Sequence, residues 1–261
     1  MFQTFFPKPA PADHAIEITA ADKAAATYLA RADDTGRVVV RSAGPCRGEI
    51  VFASGKRTPF AIEAVAPIPV AGPWKVAFAP RLGTPAQVTF PELQSWSVNA
   101  DPDIRYFSGT ATYRNEIQLD ALRADRRFLL DLGAVHELAA VEVNGREVGV
   151  TSYPPFRLDV TAALKAGANL LEIRVSNTWA NRLIGDEQEP EDGQWDEWEG
   201  FRDFGGRCLK TYSNWFVKNQ ARPAPGRKCF VTYNYFKKDA KLFPAGLLGP
   251  VRLIVEEEVK P

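Results

Sequence analysis

The residues best equipped for chemistry lie in one stretch, NTWANRLIGDEQEPEDGQWDEWEG, which begins at Asn177. Within it Asn181, Arg182, Asp186, Glu187 and Gln188 stand close to Trp179, Trp195 and Trp198, and Trp215 follows a little further on. That mixture suits a sugar. An indole face packs on the apolar C–H side of a pyranose, while amide, guanidinium and carboxylate groups bond adjacent hydroxyls in pairs. A second reading of the same residues ranks above the first: Asp186 pairs with Arg182, the tryptophans fill a crevice against a neighbouring domain, and the stretch is an interface.

Carboxylate pairs in this stretch, Asp186 with Glu187 and Asp196 with Glu197, are also the residue types of a glycosidase. That reaction needs two carboxyls held about 5–10 Å apart across the scissile bond. Consecutive side chains diverge instead of facing each other, so no residue is assigned a catalytic role. A calcium rim through Asp186 is an alternative, provided backbone carbonyls bring the ligand count to about six or more oxygens. No other cofactor is expected. With His14, His136, Cys46, Cys208 and Cys229 scattered along the chain, neither a zinc framework nor a nucleophilic triad is spelled out. His136 reads as an exposed loop residue, and Asp131 and Asp159 as turn anchors at strand ends. Cys208 and Cys229 could pair, but unpaired thiols are the preferred reading.

The elements that must position these residues are strands. From Phe128 to Asn177 every local signal agrees. Asn144-Gly145 lies between two valine-rich runs and tolerates the positive φ angles of a two-residue type I′ turn. Closing the hairpin there sets Val141 opposite Val148 and Ala139 opposite Val150. Phe156, Leu158 and Val160 alternate with polar residues, as do Leu171, Ile173 and Val175, which is the period of half-buried strands. Between these two runs the pattern predicts one helical turn, capped by Thr161 and closed at Gly167.

Upstream, the proline-rich residues 1–18 read as irregular, and TAADKAAATYLA from Thr19 as a short helix. VVVRS, GEIVFAS and PFAIEAV read as a small β-unit, with a boundary near Pro67–Gly72. Residues 1–71 are thus a partial β-unit or linker, and 72–258 form the main domain. WKVAF and VTF are its first strands, and a loop carrying Trp96 precedes the long run RYFSGTATYRNEIQL. Residues 178–225 form a long aromatic loop of little periodicity, a kind of segment usually reserved for function or contact. KCFVTYNYF then alternates as a strand, LFPAGLLGP reads as a loop, and Val251–Val255 closes the domain.

Composition narrows the rest. The 261 residues are 45% hydrophobic and 11% aromatic, which is ample for a core, and 32 basic side chains balance 32 acidic ones. Such a balance supplies no field for nucleic acid or an anionic membrane, and no basic patch interleaved with aromatics stands out. No apolar run approaches the roughly 20 residues that span a bilayer, and MFQTFFPKPAPADH lacks the makings of an export signal.

YFSGTATYRNEIQL, LDLGAVHELAAVEVNGREVGV, PPFRLDVTAALKAGANLLEIRVSN and GLLGPVRL together resemble the galactose-binding-like jelly-roll of family 2-type glycoside hydrolases. GPWKVAF, SWSVNADPDIRYFSGTATY, NTWANRLIGDEQ and FPAGLLGPVRLI narrow the resemblance to the C-terminal region of family 106 α-L-rhamnosidases, over roughly residues 72–256. The resemblance implies an all-β jelly-roll sandwich with a smaller N-terminal β-containing segment, standing behind a large catalytic barrel and located in the periplasm or outside the cell. A (β/α)₈ barrel takes about 200 residues or more of alternating strands and helices, which this sequence does not offer. The expectation is therefore a non-catalytic accessory module that partners a catalytic barrel and carbohydrate, with a free-standing carbohydrate-binding module as the alternative and, ranked below it, a small glycoside hydrolase in its own right.

Overall fold

The computed structural model describes residues 15–20, 28–32, 38–63, 65–79, 85–196 and 206–259. Strands dominate it. The first five are β1 (Ala15–Ala20), β2 (Tyr28–Ala32), β3 (Val38–Ser42), β4 (Cys46–Phe52) and β5 (Arg57–Ile62). Then come β6 (Ile68–Pro69), β7 (Trp74–Phe78), β8 (Gln87–Phe90), the short helix α1 (Pro102–Arg105), β9 (Thr110–Leu119) and β10 (Arg126–Asp131). β11 (Ala134–His136), β12 (Leu138–Val143), β13 (Arg146–Thr151), β14 (Arg157–Asp159) and β15 (Gly167–Ser176) continue the chain. After α2 (Ala180–Asp186) lie β16 (Trp195–Asp196), β17 (Arg207–Leu209), α3 (Asn214–Val217), β18 (Tyr233–Asn234), β19 (Gly246–Gly249) and β20 (Arg252–Val259).

Two antiparallel sheets make the sandwich. One runs β13-β12-β15-β9-β7-β8, and the other contains β14-β10-β20. β15 is central because its alternation is unbroken: Leu171, Ile173 and Val175 are fully buried, and the strand pairs with β9 from Gly167↔Leu119 to Ser176↔Thr110. Phe128, Leu130, Leu253 and Val255 from the facing sheet enter the same core. Burying each such side chain stabilises by about 1.5–3 kcal/mol. The expected all-β jelly-roll sandwich is what the chain forms.

Aromatic rings close one end of this core. Trp96 donates through Nε1 to the Tyr113 hydroxyl at 2.6 Å and packs edge-on against Phe78 and Phe107. The Tyr113 hydroxyl also accepts from the Leu247 N–H at 3.1 Å. Gly246 holds φ +96°, and a Cβ there would stand 2.5 Å from Trp96 Nε1, so both conformation and space require glycine. Trp96 is therefore the buried residue of a 3₁₀ turn, Trp96–Val98, where the sequence suggested a loop. GLLG, also read as loop, is strand β19 paired with β11, which places His136 in a strand.

The N-terminal segment has its own apolar cluster of Val38, Val40, Cys46, Ile50, Phe60 and Ile62. It is tied to the sandwich through β20, whose Glu257, Glu258 and Val259 pair with Ser42, Arg41 and Val40 of β3. The helix expected from Thr19 is not formed where the structure describes the segment. Ala15–Ala20 and Tyr28–Ala32 are strands, and the expected irregularity of residues 1–18 likewise gives way to strand from Ala15, residues 1–14 lying outside the described set. Pairing explains the change: Glu17, Ile18 and Thr19 meet Val51, Ile50 and Glu49 of β4, and a ladder outweighs the weak helix preference of a few alanines.

The Asn144-Gly145 turn forms, with φ angles of 54° and 79°. Its register holds for Val143↔Arg146 and Glu142↔Glu147, then breaks: Val141 faces Gly149 and Ala140 faces Val150. The expected Val141–Val148 and Ala139–Val150 pairs are absent because Val148 is the extra residue of a bulge, which shifts every later pair by one. Thr161 is not the expected cap either. It is the first residue of its turn, and its hydroxyl accepts from the Phe128 N–H at 2.8 Å and donates to Asp159 at 2.6 Å. Asp131 and Asp159 do anchor turns, accepting from the N–H groups of Gly133 and Thr161.

Candidate functional site

The chain leaves β15 at Asn177, and this residue sets the direction of everything that follows. Its Oδ1 accepts from the Gly109 N–H, its Nδ2 donates to the Phe107 carbonyl, both at 2.9 Å, and the Ser108 hydroxyl donates to the Thr178 carbonyl. The excursion is thereby pinned to the head of β9. The long aromatic loop expected for residues 178–225 contains short elements, α2, β16, β17 and α3.

α2 carries three of the candidate residues, and the structure turns them inward. Asn181, Arg182 and Asp186 are all buried. Arg182 Nε donates to Asp186 Oδ1 at 3.1 Å, one helical turn away, as the interface reading supposed. Asp186 also accepts from the Lys228 N–H at 3.0 Å and the Cys229 N–H at 2.7 Å. These two bonds explain why KCFVTYNYF does not form the expected strand. Its first amides are taken by a carboxylate instead of a ladder, and only Tyr233–Asn234 pairs, with β17. Burial, with the Asp186 carboxylate beside it, pushes the Cys229 thiol up to about 11; Cys208 and Cys229 are not joined in a disulfide.

Glu187 and Gln188 are equally committed. Glu187 accepts from Arg227 at 2.8 Å and from Arg207 at 2.9 Å. Arg227 further donates to the carbonyls of Pro190 and Glu189, while Arg207 reaches Glu191. Arg222 pairs with Asp192 and also caps the carbonyls of Arg227 and Cys229. Gln188 Nε2 donates to the carbonyls of Ile184 and Lys238, and Asn181 makes a two-way bond with the backbone of Phe243, both arms 2.8 Å. Buried charges persist only where paired and hydrogen-bonded, and here each carboxylate has its arginine or amide.

The tryptophans divide. Trp179, at 67% exposure, stands in solvent at the head of α2. Trp195 is covered by the Arg207 guanidinium, 5.0 Å from the ring centroid. Trp215 lies beneath Arg222 at the same distance, donates to the Asp192 carbonyl, and meets Phe216 and Phe230 edge-on. Trp198 and Glu197 lie outside the described residues. The crevice lined by Asp186, Glu187, Asp192, Trp195, Arg222 and Arg227 has room for about one water molecule, far less than a pyranose needs.

Nor does Asp186 suit calcium as its surroundings stand. Its oxygens face an arginine and two N–H donors, whereas calcium requires a shell of oxygen acceptors. Among the described residues, no group of three or more His, Cys, Asp or Glu is arranged to hold a metal ion. Sequence reasoning missed Asn177, Arg207, Arg222 and Arg227. Asparagine directly after a strand is a signal that could have marked the first; the arginines carry none, because their partners are 16–40 residues away.

Comparison with known proteins agrees with this architecture. Residues 98–220 match the family described as "Glycosyl hydrolase 2 galactose-binding domain-like". A curated protein of Formosa agariphila, named "Putative beta-glucuronidase", is 40% identical over 205 residues, which is 77% of this chain and 17% of that protein. The solved structure of a rhamnosidase from Novosphingobium sp. PP1Y superposes with a TM-score of 0.53 at 27% identity, covering 95% of this chain and 25% of the other. This chain thus spans a quarter or less of the length of these relatives. The matched stretch, which holds β9–β15, is thus similar to the galactose-binding-like domain of glycosyl hydrolase 2.

Proposed function

We propose that this chain is a non-catalytic accessory β-sandwich of a larger glycoside hydrolase of the α-L-rhamnosidase type, family 106 included, which acts on plant-type polysaccharides or glycosides. Its partner is a catalytic barrel, in the same chain or a separate one, against which the excursion of residues 178–245 is held in shape. The carrying observation is that the candidate pair Asp186 and Glu187 is consumed internally, while Asp196 of the second pair meets Lys210 at 3.4 Å on the surface. Asp186, Glu187, Glu191 and Asp192 each bond an arginine or an amide. Hydrolysis requires one carboxyl with a raised pKa and a second opposed to it across an open site. The length of the two relatives gives further support.

A second reading, a free-standing carbohydrate-binding module, is favoured by the exposure of Trp179. Two measurements separate the possibilities. The purified chain is expected to leave aryl α-L-rhamnosides and aryl β-galactosides unhydrolysed; turnover abolished by Asp186→Ala or Glu187→Ala would overturn the accessory reading. Titration with rhamnose and galactose is expected to leave indole fluorescence unchanged. A saturable change lost in Trp179→Ala would establish the binding module in its place.

A further inference from the structure

The polar residues of α2 and its C-terminal flank share one task. Asp186 holds the amides of Lys228 and Cys229, Gln188 holds the Lys238 carbonyl, and Asn181 holds both backbone groups of Phe243. All these bonds go to the main chain of a single segment, so most of the side chains from Tyr235 to Phe243 are left to face outward, whereas Cys229 and Asn234 are buried. At the segment's start, Tyr233 pairs with Cys208 of β17. In the middle, a turn closes with the Ala240 N–H donating to the Lys237 carbonyl at 3.0 Å. Across it Phe236 meets Phe243 edge-on at 6.2 Å, and Tyr235 meets Phe236 at 5.4 Å.

The result is a row of three rings whose outer members, Tyr235 and Phe243, are 57% and 50% exposed. Lys237, Lys238 and Lys241, all exposed, lie on the chain between Phe236 and Phe243, with Asp239 as the lone acid among them. No ammonium of these lysines meets a carboxylate among the described residues. The sequence reading found no basic patch interleaved with aromatics; this short strip is one, assembled by the turn.

We infer that the strip Tyr233–Phe243 binds an acidic oligosaccharide, a chain containing uronate residues. Exposed rings offer stacking faces for the C–H side of a pyranose, and the adjacent ammonium groups are placed for its carboxylates. Because Gln188 and Asn181 anchor the strip's backbone at Lys238 and Phe243, little ordering entropy remains to be lost on binding. A single-stranded nucleic acid also stacks on aromatics in a basic groove, but its affinity comes from neutralising many phosphates. Three lysines beside an aspartate, on a chain of formal net charge zero, are poorly matched to that demand. An acidic peptide would need a sheet edge or an apolar groove, and β18 is two residues long. The inference requires that a catalytic domain, where one is present, docks on the excursion away from this strip.

Affinity electrophoresis of the purified chain through gels containing sodium polygalacturonate tests it, with fully methyl-esterified polymer as the uncharged reference. Retardation is expected with the acid form. Lys237→Ser/Lys238→Ser/Lys241→Ser and, separately, Tyr235→Ala are each expected to weaken it about tenfold, while Lys75→Ser/Lys165→Ser, elsewhere on the surface, leaves it in place. Unaltered thermal midpoints verify that the variants are folded, as substitution of exposed side chains allows. Absence of retardation overturns the proposal, as does retardation that survives the lysine substitutions. So does indifference to Tyr235→Ala, which would reduce the strip to an ion exchanger, or tighter binding of single-stranded DNA than of polygalacturonate.

Discussion

The sandwich and the excursion that leaves it at Asn177 are ordered by opposite means. Inside the sandwich the buried groups are overwhelmingly apolar: Leu171, Ile173, Val175, Val141 and Leu253 are each completely covered. In the excursion the buried set includes Asn181, Arg182, Asp186, Arg227 and Asn234, with Ile184 and Ala224 among its few apolar members. One region is held by removing hydrocarbon from water, a force that needs only the right period. The other is held by paired charges and by side chains bonded to backbone, a scheme in which every partner must be present at once. Such a segment keeps a defined shape without a core of its own, which suits a surface that presents side chains to something else.

This difference makes removal of Asp186 the most damaging single change. Asp186→Ala leaves the Arg182 guanidinium buried without its counter-charge and orphans the amides of Lys228 and Cys229. Breaking a buried pair in this way costs about 3–5 kcal/mol. Because the excursion is a local unit, the loss is expected first as protease cleavage within residues 187–231, at temperatures where the sandwich remains folded. Cleavage at the wild-type rate would show that the ion pairs are not what holds the excursion.

Ile173→Ala breaks the comparison from the other side. It removes hydrocarbon from the middle of β15, and large-to-small changes at such sites cost about 2–5 kcal/mol. Here the expectation is a lower global midpoint in thermal unfolding, with excursion and sandwich lost together. A midpoint left unmoved would contradict the burial of this strand in the shared core.

The two regions were unequally legible for the same physical reason. Alternation at Leu171, Ile173 and Val175 and the Asn144-Gly145 turn announced the sandwich, since period and turn chemistry are local properties of the chain. Even there the bulge at Val148 escaped, because an extra residue leaves the apolar pattern nearly intact while shifting the pairing beyond it. In the excursion only the Arg182–Asp186 pair could be read, one turn apart on a helix. The partners of Glu187 are Arg207 and Arg227, 20 and 40 residues on, and no periodicity links them. KCFVTYNYF misled for a related reason: it alternates well, but Asp186 claims the amides a strand would need.

Asp131 tests how a paired carboxylate behaves at the edge of the sandwich. Burial by itself would raise its pKa, but the Gly133 N–H and the guanidinium groups of Arg252 and Arg157 outweigh it and hold the carboxyl below its ordinary value. A carboxyl whose pKa is lower in the folded state contributes stability that is fully present above the unfolded value, near about 3.9, and lost as pH falls through the folded one. Stability measured by denaturant unfolding should therefore be flat from neutral pH to about 5 and decline below about 4. Asp131→Asn should be less stable at neutral pH and shallower in that acid limb. An acid limb of unchanged steepness would remove Asp131 from the account.

The smallest expected effect lies on β20, where the chemistry matches that of the excursion and only the burial differs. Glu256, Glu257 and Glu258 pair with Arg127, Arg126 and Arg41, forming a ladder along the sheet that joins the N-terminal segment to the sandwich. Arg126 and Glu257 retain 27% and 21% side-chain exposure, against 6% and 5% for Arg182 and Asp186. Water that reaches the outer pair screens the attraction and also solvates either partner when the other is removed. A double-mutant cycle on Arg126→Ala and Glu257→Ala should thus give a coupling of about 0.2–1 kcal/mol, shrinking as salt is added. The equivalent cycle on Arg182 and Asp186 should exceed it and respond little to salt. Equal couplings would mean that burial is not what separates the two regions, and the contrast between them would have to be rebuilt on geometry alone.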